Sequence, residues 1–242
     1  MKVVVYSCVT GGHDKVSQTV LKSRGLPDNQ TDFVLFSDRP DLVASGAGQT
    51  FRLPGGHLTW QILPVIYQHP TSDTRTARWH KINSHLSVPG YDASIWIDGS
   101  QRIKAVNLRT ELAEPYFASP ESQTQPIAAF RHPDRACVYQ EAAACMSLEK
   151  DSPDTLRRQA QSYQDEGYPL NNGLVETACV LRRNSPAVVR FNTLWWQQVE
   201  NFSRRDQVSF NYVAWKTGID YGRIEGQRDE SRFFDFVPHK KT

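Results

Sequence analysis

Methionine and cysteine are scarce in this chain, with two and four copies in 242 residues. Cys8, Cys137, Cys145 and Cys179 are scattered, and none forms a CxxC pair. That spacing excludes a zinc ribbon and suits free buried thiols in a reducing compartment. A long hydrophobic run is also missing. The apolar opening Val3-Val4-Val5-Tyr6 is too short for a signal-peptide core or a membrane span. The expected location is therefore the cytoplasm, with peripheral contact at the inner face of a membrane left open. Charge of one sign is missing too. The net charge of +2 gives no polyelectrolyte bias, so nucleic acid is not an expected partner. There is no GxSxG, HExxH or Walker motif, and Gly11-Gly12 lacks the spaced glycines of GxGxxG. His80 and His85 lie five apart, the wrong spacing for a paired helical zinc site.

What the chain does contain is an alternation of buried strands and helices. Lys2 to Ser7 and Asp32 to Ser37 read as strands. Phe51-Arg52-Leu53 reads as a short third strand, and Thr74 to Leu86 as a helix stopped by Pro89-Gly90. Ile95-Trp96-Ile97 is a strand core that breaks at Asp98-Gly99-Ser100. Further on, Ile127 to Phe130 and Leu174 to Arg182 read as strands. Helices are expected over 135–149, 152–166, 185–202 and 205–215. This order predicts an α/β fold with a mixed central sheet, in one domain spanning 1–242. The nucleotide-facing half would end near residue 104, and the acceptor-facing half would include the aromatic tail Phe233 to Val237.

Several groups of residues could carry chemistry. In open α/β sheets ligands collect beyond the carboxyl ends of strands, where Asp98 falls. A carboxylate there can hold a hard divalent cation against phosphate oxygens; a plain strand-ending turn is the alternative. Thr10 and Asp14 in the first loop, and Asp38 after the second strand, are candidate polar contacts to a nucleotide. Arg75, Arg78 and Lys81 lie near one face of the helix before the Asp98 strand. They are either a solvated basic face or partners for a diphosphate. His132, Arg135 and Glu141 form a polar group after a strand. Asn172-Gly173 makes a turn suited to a polyhydroxylated ligand, and Glu176 follows in an apolar run, where a carboxylate is costly unless paired or used. Asp206-Gln207 reads as a helix cap or as a contact to a donor sugar.

Taken in order, these pieces resemble a glycosyltransferase-like family. They are Gly11-Gly12-His13-Asp14, Phe36-Ser37-Asp38, Arg75-x-x-Arg78-x-x-Lys81 and Ile95 to Ser100. His132-x-x-Arg135, Glu141, Gly173-Leu174-x-Glu176, Arg205-Asp206-Gln207-x-Ser209-Phe210 and His239-Lys240-Lys241 complete the set. The family's bacterial members are associated with surface polysaccharide, its plant members with mucilage or cell wall, and one plant branch has been called an alkaline ceramidase. The resemblance implies a GT-A-type α/β fold similar to retaining family 8 glycosyltransferases. It implies transfer of a sugar from a nucleotide-diphosphate donor to a glycan or lipid-linked glycan, with retention. Asp98, Ser100 and His239 would hold Mn²⁺ or Mg²⁺, and Thr10, Asp14, Asp38, Arg75, Arg78, Lys81 and Lys240 the nucleotide. His132, Arg135, Asn172 and Gly173 would contact substrate, with Glu176, Asp206 and Gln207 catalytic. Ser100 departs from the usual second Asp of the acidic motif, and a hydroxyl is a poorer metal ligand than a carboxylate. Two alternatives stand beside this reading: a metal-dependent lipid amide hydrolase, and a non-catalytic nucleotide- or glycan-binding protein on the same fold.

Overall fold

The computed structural model describes residues 1–11, 23, 24, 26, 28–44, 50–53, 56–104 and 106–237, with backbone only at 50–53 and 56–59. Asp14, His239 and Lys240 lie outside these residues. The strands are β1 (Val3–Val9), β2 (Thr31–Ser37), β3 (Thr50–Leu53), β4 (Gly56–Pro64), β5 (Ala93–Ile97), β6 (Gln101–Ile103), β7 (Ile127–Arg131), β8 (Val175–Arg183), β9 (Tyr221–Arg223) and β10 (Phe234–Phe236). The helices are α1 (Pro40–Ala44), α2 (Asp73–Ile82), α3 (Ser84–Ser87), α4 (Glu114–Ala118), α5 (Val138–Ser147), α6 (Pro153–Asp165), α7 (Pro186–Asn201) and α8 (Gln207–Thr217). A π-helical turn, Arg109–Ala113, leads into α4.

Eight strands form one sheet in the order β3-β4-β2-β1-β5-β8-β7-β9, so both halves of the chain contribute to it. β1 is parallel to β2 and β5, whereas β8 runs antiparallel to both β5 and β7. The carboxyl ends of β1, β5 and β7 and the start of β8 therefore share one edge. β10 pairs antiparallel with β6 and ties the tail to the segment after Asp98.

The strand residues alternate between two cores, as a period of two requires. Val3 and Val5 face a core with Leu112, Phe117 and Phe234. Val4, Tyr6 and Trp96 face another with Ile82, Phe191, Trp195 and Phe210. Burial on both faces explains why these strands read as continuous apolar runs. The long helix expected from Thr74 to Leu86 is broken at Asn83, whose backbone leaves the helical region and whose N–H caps Trp79. α7 starts as its sequence predicts, with Pro186 in the first turn and the Ser185 hydroxyl accepting from the Val188 N–H. Among the described residues no helix is long and apolar enough to cross a membrane.

One irregularity shapes the shared edge. Ala129 of β7 faces Val180 of β8, but the next residue, Phe130, faces Glu176. Three β8 residues are thus left over opposite one step of β7. The Ala178 carbonyl turns to accept the Asp98 N–H at 2.8 Å. Such a bulge bends a strand and re-aims its side chains.

Candidate functional site

Four charged side chains meet at this edge. Asp98, just past β5, is oriented by the Trp96 indole, whose Nε1–H donates to Oδ1 at 2.7 Å. The same oxygen receives Arg78 Nη1 and Lys81 Nζ, each at 3.3 Å. Arg78 and Lys81 stand three apart on α2 and so share a face. Opposite lies Asp206, immediately before α8, with Oδ1 2.8 Å from Arg78 Nε and Oδ2 2.7 Å from Lys81 Nζ. The Thr177 hydroxyl, supplied by the β8 irregularity, donates to Asp206 Oδ2 at 2.7 Å.

Lys81 is wholly buried and Asp206 is 2% exposed. Burial alone would raise the Asp206 pKa, but Arg78 and Lys81 outweigh it and hold the carboxyl well below its usual range. Burial lowers the Lys81 pKa against the support of Asp206 and Asp98. Arg78 goes the other way: its two carboxylate partners overcome burial and raise its pKa. The quartet is neutral as two pairs. Asp206 makes no side-chain cap to α8, so its carboxylate serves the cations, while its carbonyl accepts from Trp195 Nε1 and the Ser209 hydroxyl.

Arg78, Asp98 and Asp206 form one wall of a cavity of about 300 Å³, with Lys81 wholly buried and outside its lining. Glu176 enters from β8, mostly buried, with Oε1 2.7 Å from Arg228 Nη1. Its pKa is raised, by burial first and then by Asp229, Asp98 and Glu141, against the pull of Arg228. The far wall holds His132, Arg135 and Glu141. His132 Nδ1 accepts the backbone N–H groups of Asp134 and Arg135, each at 3.1 Å. Arg135 Nε donates to Glu141 Oε2 at 2.7 Å. Burial, followed by the nearby Arg135 charge, lowers the His132 pKa. Gln207 also lines the cavity, as do Arg205 and Lys150, which have no carboxylate within ion-pair distance among the described residues.

Three other expected nucleotide contacts have partners within the fold. Arg75 donates to the Val199 and Phe202 carbonyls at 3.0 and 2.7 Å, capping the end of α7. The Thr10 hydroxyl donates to the Asp73 carbonyl, and Asp38 accepts the Gly11 N–H at 2.9 Å. Gly11 has φ +67°, and a Cβ there would lie 2.4 Å from Asp73 Oδ2, so this turn requires glycine. Asn172 does not line the quartet's cavity; it borders a separate groove beside α8. Sequence reasoning missed Arg228, which lies in a charged stretch that reads as plain surface, and Thr177, whose role depends on the β8 irregularity.

A divalent metal fits the described residues poorly. Asp98 Oδ1 already receives three N–H donors, two of them cationic, and the second position of the acidic motif offers only the Ser100 hydroxyl, largely buried. Among the described residues no three His, Cys, Asp or Glu side chains gather as a metal site would need. The expected third ligand, His239, lies outside the described residues.

Edge, cavity and sheet order define a GT-A-type domain. The fold matches mouse xyloside xylosyltransferase 1 with a TM-score of 0.53, over 92% of this chain and 84% of that one, at 10% identity. The chain belongs to the TOD1/MUCI70 glycosyltransferase-like domain family, whose model matches residues 1–226. It is 28% identical over 166 residues to probable hexosyltransferase MUCI70 of Arabidopsis thaliana, covering 64% of this chain. It is 24% identical over 234 residues to alkaline ceramidase TOD1 of the same plant, covering 87% of this chain. The matches span 27% and 48% of those two relatives, so the chain spans at most about half of their length.

Proposed function

We propose that this domain transfers a sugar from a nucleotide-diphosphate donor to a glycan or lipid-linked glycan, as in surface polysaccharide synthesis. The observation that carries this reading is the gathering of Asp98, Asp206, Arg78 and Glu176 around one cavity at the carboxyl edge of the sheet, with Lys81 buried against the two aspartates. In the reaction, the bond from the anomeric carbon to the diphosphate breaks and one to an acceptor oxygen forms. The acceptor loses its proton, and the diphosphate leaves with added negative charge.

Arg205 and Lys150, free of carboxylate partners among the described residues, meet that charge; cations placed at the leaving group stabilise a developing anion. Arg78 and Lys81 act indirectly, by fixing Asp98 and Asp206. Gln207 orients the donor sugar. Glu176, buried with a raised pKa, faces the reacting centre, and it would be the general base if the reaction inverts rather than retains.

Lipid amide hydrolysis is favoured less. An acyl chain needs an apolar lining, whereas this cavity is lined by ten charged residues. The test is thermal stability of the purified protein against a panel of nucleoside diphosphates, with and without Mn²⁺, for wild type and Asp98→Asn. A ligand bound only by the folded state raises its apparent stability. Stabilisation by one nucleotide, lost in Asp98→Asn, supports the reading. No stabilisation by any nucleotide, with hydrolysis of a ceramide analogue, overturns it.

A further inference from the structure

A second cavity lies outside the quartet's pocket. It is a groove of about 780 Å³ between the end of α8 and the edge strand β9. Trp215, on the last turn of α8, borders it and is 38% exposed. Its ring is held, not loose: Tyr168 meets it edge-on at 5.5 Å and Tyr212 lies at 5.9 Å. A large apolar ring kept partly in water inside a concave site is informative in a way a scattered surface leucine is not.

Besides Ala214, Ile219 and two glycines, the remaining lining is polar and carries balanced charge. Gln125 Nε2 donates to Asp220 Oδ2 at 2.9 Å at one end, and Arg223 has no carboxylate within ion-pair distance among the described residues. Asn172 is exposed at the other end. The wall between them is rigid. Asn211 accepts the Val175 N–H at 3.0 Å and donates to the Tyr221 hydroxyl at 2.5 Å. Gly173, at φ +82°, leaves room for that hydroxyl, which a Cβ would approach to 2.7 Å.

We propose that this groove is a second carbohydrate site, which holds a neutral stretch of acceptor glycan outside the transfer pocket. A pyranose offers an apolar C–H face and a rim of hydroxyls. The fixed indole suits the first, and the amides and carboxylate the second. The choice of ligand rests on the transferase reading. At its Asn172 end the groove comes near that site: Asn172 and Glu176 are four residues apart, at most about 14 Å of chain.

The test is calorimetric titration of the full chain, without donor, with cellohexaose, xylohexaose and mannohexaose. At least one is expected to bind wild type and Asp98→Asn with equal affinity, and Trp215→Ala at least tenfold more weakly. Removing the partly exposed indole costs some packing against Tyr168 and Tyr212, so a melt that stays cooperative checks that the fold is kept. Trp215→Phe should recover part of the affinity. The proposal is overturned if no hexasaccharide binds, or if Trp215→Ala binds as wild type does. Binding measured without donor stands even if transfer fails. Confirmed transfer with an unchanged KM for the hexasaccharide in Trp215→Ala would sink the groove alone.

Discussion

Replacing Asp206 with asparagine keeps the side chain's shape and deletes one charge from the buried quartet. Lys81 would lose its partner at 2.7 Å, and Arg78 would lose one at 2.8 Å. Both cations would then depend on Asp98, which is 25% exposed and stands 3.3 Å from each. Breaking a buried ion pair from one side costs about 3–5 kcal/mol, since the abandoned charge stays out of water. For a domain of this size each kcal/mol moves Tm by about 2–4 °C, so a fall of roughly 6–20 °C is expected. Urea unfolding of wild type, Asp206→Asn, Lys81→Met and the double variant measures it. The double variant should regain about 1–2 kcal/mol over Asp206→Asn, because removing one charge of each sign restores neutrality. The folded pKa of Asp206 is depressed, so its contribution is full above the unfolded value near ~3.9 and is lost as pH falls below that. Asp206→Asn should lack this acid limb. A single-variant loss under about 1 kcal/mol, or a double variant no better than the single, would refute the view that the quartet's charges depend on one another.

Four further outcomes are expected. His80 is fully buried; its Nδ1 pairs with the Thr76 carbonyl and its Nε2 accepts the Ile66 N–H, and burial lowers its pKa to about 4. Its neutral form therefore stabilises the fold fully above pH ~6.5, and about 3 kcal/mol should be lost as pH falls to about 4, a slope that His80→Gln would flatten in urea titrations. Glu176→Gln should lower kcat by 10²-fold or more while changing stability little at neutral pH, read by steady-state transfer and thermal melting. Because the Glu176 pKa is raised by burial, wild type should gain stability relative to Glu176→Gln as pH falls through that raised value. Arg75→Ala should cost about 1–3 kcal/mol by freeing two carbonyls at the end of α7, yet leave nucleotide binding unchanged; a lost thermal shift with nucleotide would put Arg75 back in the donor site.

The fold was legible where burial is symmetric and where punctuation is strong. β1, β2, β5 and β8 show as apolar runs because both faces of the sheet are covered, and α6 and α7 announce themselves by Ser-Pro starts. β4 escaped notice, since it lies between Gly56 and Pro64 next to a Pro-Gly pair that reads as a loop. The break at Asn83 escaped too, because nothing in a helical spacing marks one residue leaving the helix. At the site, the charges themselves were readable at Asp98, Arg78, Lys81 and Asp206. Their pairing was not, because it depends on where α8 starts relative to α2, a tertiary fact. Thr177 and Arg228 were hidden for the same reason: a strand irregularity and a surface-like tail bring them in.

The indole of Trp96 is buried against Tyr6 and gives its one N–H to Asp98. That bond turns a packing residue into a reporter. The chain has six tryptophans, so its proton–nitrogen spectrum holds six indole signals, few enough to assign one at a time. The Trp96 signal will move with whatever shares or displaces Asp98 Oδ1, be it a phosphate, a cation or a sugar hydroxyl. Trp215, in the outer groove, supplies a second signal at the other site. Occupancy of the two sites can then be followed separately, in one ¹⁵N-enriched sample, with no extrinsic probe attached and no turnover required.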